Sequence, residues 1–255
     1  MTFQRVQEEI NWANASVLEA QAAFKAGVGK DTFAYVVEVD PQTGNKAWKI
    51  KRVGNTPPEI PHLLRGALLD IKHSFDRMLN VAAKASNCIA FDKNYPWAET
   101  VTGFEGILKS RQSKPSTRLP ENLISELRRQ KPYTGPPGPP SRQNIVREIA
   151  QMANDKHSIG IIVGAHAMMV SAKIAIAFDV TRCMNTWDFV NDELIVLEVG
   201  PDAADLTTAP DVNVTIDVFF ERGDQFFEVS AFRALRIFSE HAQSCLEGFK
   251  RATRS

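Results

Sequence analysis

Apolar and polar positions alternate along this chain with two periods, one helical and one extended. The longest helical pattern is Ile60–Ser86. Advancing about 100° per residue, Leu64, Leu68, Ile71, Phe75, Met78, Leu79 and Ala82 share one stripe. That spacing predicts a helix with one buried face. Pro57, Pro58 and Pro61 suit its first turn, and Ser86-Asn87 suits its end. Thr2–Ala26 carries Val6, Ile10, Ala13, Val17, Ala20 and Phe24 at the same period, with Gly27 and Gly29 as its stop. Gly103–Arg111, Leu119–Gln130, a helix capped by Ser141 and bearing Ile145, Ile149 and Met152, and Val229–Arg251 read as further helices.

The extended period begins at Thr32–Asp40. Pro41-Gln42-Thr43-Gly44-Asn45 is turn chemistry, and Lys46–Val53 alternates Trp48 and Ile50 with Lys49 and Lys51, so the three form a hairpin. Strands are expected within Ile159–Val180, at Asp192–Val199 and at Asn213–Glu221. Phe91–Thr100 is a loop whose aromatics plug a core, and Pro132–Pro140 joins two helices. There is no internal repeat.

Composition changes this picture little. At 255 residues, with 15 Phe and 4 Trp, the chain has ample material for a core. Zero formal net charge gives no global pull toward nucleic acid or membrane. The charge is segregated, however. Lys109–Arg147 has nine basic residues against Glu121 and Glu126, and Asp188–Glu228 has eleven acidic residues against Arg222. The two segments either face each other or form separate surfaces. Cys88, Cys183 and Cys245 are dispersed, which fits a reducing cytosol. MTFQRVQEEI lacks the apolar core of a secretory signal. Ile159–Val180 is broken by Gly160, Gly164, His166 and Lys173, which argues against a membrane span.

Recognised catalytic spacings are absent. There is no phosphate-binding glycine loop, no HExxH, no GxSxG and no zinc pattern. No cofactor is expected. His62, Arg65, Leu69 and His73 form a row away from the apolar stripe, with Asp70 beyond His73. The row is either the wall of a cleft or the solvated face that any amphipathic helix needs. Asp155-Lys156-His157 is the densest polar triplet, and Lys156 and His157 there equally complement a helix C-terminus. A metal site from His62 or His73 with Asp70, Asp155 and His157 would require the two helices to meet, and no metal is expected. Arg236 and His241 match the Arg-x4–6-His spacing of a class of helical ribonucleases, and Arg65 with His73 nearly does. Histidine would serve there as acid or base and arginine would steady phosphoryl charge.

Four short motifs add a resemblance. Leu64-Arg65-Gly66-Ala67-Leu68-Leu69-Asp70 resembles an LRsALD helix motif. Asn94-Tyr95-Pro96-Trp97, followed by Phe104, resembles an FPI…F segment. Lys131-Pro132-Tyr133 resembles QPY with Lys for Gln, and Asn154-Asp155-Lys156-His157 resembles xDKHr with Ser158 for Arg. In this order they are similar to a family of uncharacterised bacterial proteins, over Ile60 to the C-terminus. The resemblance implies a bacterial or phage-related cytosolic origin and marks Arg65, Asp70, Asp155, Lys156 and His157 for test. It implies no reaction.

The expected fold is α+β, as one unit over residues 1–255. A long-helix core (57–157) packs beside an N-terminal helix and hairpin (1–56), with a C-terminal antiparallel sheet closed by the last helix (158–255). Two functions remain open. The first is a non-enzymatic binding or assembly protein, with a protein partner or a second copy, in which Arg65, Asp70, Asp155, Lys156 and His157 form a structural network between helices. The second is a metal-independent ribonuclease. It would use His73 or His157 as the acid/base, Arg65 and Lys156 as phosphate clamp, and Lys109–Arg147, including Arg128 and Arg129, as an RNA track.

Overall fold

The computed structural model describes residues 2–28, 32–55, 57–88, 91, 93–134, 145–154, 161–167, 180–182, 187–188, 190–203, 214–220 and 229–254, with backbone alone for 161–167, 180–182 and 214–215. Six helices and two antiparallel sheets make an α+β protein among these residues. The chain divides into two compact units, each assembled from separated stretches. One comprises 1–21, 61–160 and 222–255; the other comprises 22–60 and 161–221.

The first unit is helical. Its elements are most of α1 (Phe3–Gly27) and α2 (Glu59–Ala85), then α3 (Val101–Gln112), α4 (Glu121–Gln130), α5 (Ile145–Asn154) and α6 (Ala231–Ala252). The expected stripe of α2 is its buried face: Leu64, Ile71, Phe75, Met78, Leu79 and Ala82 are fully buried. Each large side chain of that kind contributes roughly 1.5–3 kcal/mol. At the end of α2, Asn87 takes a left-handed φ of 65°, and Cys88 N–H reaches Ala83 O at 2.9 Å. This closes the carbonyls the helix leaves open. Phe91, Tyr95 and Trp97 do plug the core. Phe75 meets Tyr95 and Trp97 edge-on at ring separations of 5.3 and 5.5 Å. Asp76 Oδ1 accepts Tyr95 N–H at 2.7 Å, which fixes that loop to α2. Buried Glu9 of α1 pairs with Arg77 of α2, while Gln7 and Gln243 exchange hydrogen bonds that join α1 to α6. The last helix, α6, groups with these helices and packs on α4 and α5.

The second unit is built on strands. β1 (Phe33–Val39) and β2 (Lys46–Arg52) form the expected hairpin. Asp40 Oδ1 accepts the N–H groups of Gln42 and Thr43, and those bonds hold its carboxyl below the usual range. Gly44 follows at φ 72°, a backbone region that favours glycine. The hairpin is not a separate piece. β2 also pairs with β5 (Glu193–Val199), which pairs with the short β4 (Val180–Arg182), giving the order β1-β2-β5-β4. β3 (Ile161–Ala167) pairs with β6 (Val214–Phe220) in a second sheet. Phe33 and Trp187 pack edge-to-face at 5.7 Å. Gly27 ends α1 as its last residue, and a Cβ there would lie 2.5 Å from Pro57 Cγ, so only glycine permits that approach.

Candidate functional site

α4 is amphipathic, but its buried side is not wholly apolar. Glu126 and Gln130 lie within about 60° of Leu123 around the helix, and both are buried. A buried carboxylate requires partners. Arg129 grips Glu126 with two bonds, Nε to Oε2 at 2.8 Å and Nη2 to Oε1 at 2.5 Å. Gln130 Nε2 donates to Glu126 Oε1 at 2.7 Å, and Tyr95 O–H donates to Gln130 Oε1. Burial holds the Tyr95 phenol well above its ordinary pKa, so it remains a donor. The hydrogen bonds that Arg129 donates to Glu126 raise the Arg129 pKa and keep its charge fixed. On α6, Gly248 leaves the space that the Glu126 carboxylate occupies.

This network backs a cavity of about 580 Å³ between α4, α5 and α6. Its lining, among the described residues, falls into two groups. Arg129, Gln130, Lys131, Glu240, His241 and Ser244 are polar. Ile145, Ile237 and Cys245 are apolar. The positions on α6 follow from helical spacing: Ile237, Glu240, His241, Ser244 and Cys245 share one side. Lys131 is brought in by the end of α4, where it takes a left-handed φ of 48°. Its ammonium has no hydrogen-bond partner among the described residues, and Arg129 keeps N–H groups that Glu126 does not use. Burial pushes the Cys245 thiol up to about 12, so it stays protonated at neutral pH and acts as apolar surface.

A second cavity, of about 360 Å³, lies on the sheet unit beside Glu38, Asp40, Lys49, Asp188, Glu193 and Glu198. Its acidity is already answered. Lys49 Nζ reaches Glu193 at 2.8 Å and Glu38 at 2.9 Å, and Lys51 pairs with both. Burial works against the Lys49 charge, but the bonds to Glu193 and Glu38 outweigh it and raise its pKa. Among the described residues no group of three or more metal-ligating side chains is assembled.

The described residues among those expected from sequence are divided between α2 and α4. His62, Arg65 and His73 are exposed on α2, and Asp70 is half-buried there. Partial burial pushes the Asp70 carboxyl up, with the His73 charge opposing it, and that carboxyl makes no hydrogen bond among the described residues. Asp155, Lys156 and His157 lie outside the described residues, as do Ser141 and Cys183. Arg128 is held by Glu105, through two 3.0 Å bonds, and by Glu121. Arg129 lines the helical cavity. His241 lines it too, while Arg236, its ribonuclease-like companion, is not among the lining residues. Sequence reasoning did not single out Glu126 or Gln130 as site residues, and it noted Tyr95 and Lys131 only in the aromatic loop and in short motifs. The legible signal was a carboxylate and an amide on the apolar side of α4.

No family model matches the chain, and no curated protein or solved structure matches it. No helix among the described residues is long and apolar enough to cross a membrane.

Proposed function

We propose that this chain is a non-enzymatic binding protein, and that its ligand is a small organic anion held between α4, α5 and α6. The observation that carries this is that Arg129 and Lys131 line the same cavity as Ile145, Ile237 and Cys245. A few placed polar groups above an apolar base is the usual form of a small-molecule site. Arg129 is fixed in advance by Glu126, so binding costs less side-chain entropy. A carboxylate or phosphate would meet the two cations, and a short apolar body would cover Ile237. His241 and Ser244 would set its orientation. A protonated Cys245 offers no nucleophile, which favours binding over catalysis. The setting is the bacterial cytosol that the family resemblance implies.

Isothermal titration with a panel of small carboxylates and phosphate esters tests the reading. At least one member should bind, and Ile237→Trp or Lys131→Glu should weaken it at least about tenfold. Failure of every member to bind, or binding indifferent to both variants, would refute it. The ribonuclease reading retains one favourable observation, the shared exposure of Arg65 and His73 on α2. Against it, much of the basic segment is engaged within the protein. Arg111 bonds Asn94 O, Arg118 bonds Gln112 O, and Arg128 and Arg129 pair with glutamates. RNA cleavage abolished by His73→Ala would restore that reading.

A further inference from the structure

The helical cavity carries charges of both signs, and they are not equally committed. Among its described lining residues Arg129 and Lys131 are cationic and Glu240 is acidic. Arg129 donates two hydrogen bonds to Glu126, so a buried carboxylate already offsets its charge. Lys131 and Glu240 have no such answer. Neither charged group makes a hydrogen bond or an ion pair among the described residues, with the other or with any third group. Lys131 directly follows α4, whereas Glu240 belongs to α6. The cavity therefore presents one uncommitted positive and one uncommitted negative charge from different elements. A simple anion would gain from Lys131 but meet repulsion from Glu240, and a simple cation would meet the reverse. A ligand bearing both charges is answered at both ends.

Resting on the small-anion reading above, we propose that the ligand is a zwitterion, an α-amino acid with an aliphatic side chain. Its carboxylate is held by Lys131 and by the N–H groups of Arg129 that Glu126 leaves unused. Its ammonium is held by Glu240. Ile145 and Ile237 line the same cavity and give its side chain an aliphatic contact. A volume of about 580 Å³ is that of a small-molecule site and leaves room for an amino acid with some of its water. Glu240 also sets specificity. It turns the site against carboxylates that lack an ammonium, so discrimination comes from repulsion as well as attraction.

Isothermal titration of the full chain at neutral pH compares leucine with isocaproate and valine with isovalerate. Each pair differs by the amino group alone. Glu240 is exposed, and an exposed charge pair is worth up to about 1 kcal/mol, which is about fivefold in affinity. At least one amino acid should bind about fivefold more tightly than its partner compound. Glu240→Gln should abolish that preference by weakening the amino acid, while the partner compound binds no worse. Such a change in one member of a pair is not what a folding defect produces. Equal binding of both members in wild type overturns the zwitterion and leaves the anion reading standing. A preference unchanged in Glu240→Gln overturns the proposal too, since another group would then hold the ammonium. Absence of binding in both pairs also overturns it, and the phosphate esters of the wider panel then decide whether the anion reading falls with it.

Discussion

Gly248→Ala should destabilise the helical unit, although the same change normally strengthens a helix. Alanine in a helix interior gains roughly 0.5–1 kcal/mol over glycine. At Gly248 that gain meets an obstacle, because the new Cβ would occupy the position of the Glu126 carboxylate and approach Arg129 Nη2 at 2.8 Å. The carboxylate must then leave its bonds to Arg129 and Gln130. A hydrogen bond to a charged group is worth about 1.5–3 kcal/mol. Arg129 is half-exposed, so solvent recovers part of that loss. The net expectation is a loss of about 1–3 kcal/mol after the propensity gain. Gly66 on α2 and Gly106 on α3 supply the controls, since a Cβ at either meets nothing within 4 Å. Their alanine variants should be stabilised by about 0.5–1 kcal/mol. Urea melts followed by circular dichroism compare the three. A Gly248→Ala protein as stable as wild type would show that the Glu126 network does not brace α4 against α6.

Three further outcomes follow from the same network and cavity. Tyr95→Phe removes the donor to Gln130 Oε1 in a fully buried place and should cost about 1–3 kcal/mol in the same melts. The Cys245 thiol titrates at 9.0 when ordinary and at about 12 in the fold, so above pH 9 the unfolded chain releases a proton that the folded chain keeps. Stability should therefore fall between about pH 9 and 12, by roughly 1.4 kcal/mol per pH unit from this group. Cys245→Ser should shallow that slope, and an unchanged slope would contradict the burial. In a Cys183→Ser background at pH 8, a maleimide should modify half-buried Cys88 well before Cys245.

Helices were legible because each keeps one apolar stripe. On α6, Phe232, Leu235, Phe238, Ala242, Leu246 and Phe249 all face inward, as their spacing requires. The strands of the hairpin were equally plain from alternation and from the turn at Asp40–Asn45. What period-two patterning does not encode is the partner. Lys46–Arg52 pairs with Glu193–Val199 about 150 residues away, and neither strand names the other. For the same reason, a reading in chain order could not separate two units whose pieces alternate along the sequence. The polar row on α2 attracted attention because histidines and arginines are chemically able, yet His62, Arg65 and His73 are exposed. The residues that build the cavity wall are quieter. A glutamate and a glutamine on the inner side of a short helix announce a buried network only when burial is weighed before reactivity.

The most direct test of the account is amide NMR of the labelled chain titrated with small carboxylates and phosphate esters. A site between α4, α5 and α6 predicts saturable shifts centred on Lys131, Ile145, Ile237, His241 and Ser244, absent in Ile237→Trp. Shifts centred instead on Arg65 and His73 of α2, or no saturable shift with any member of the panel, would contradict it.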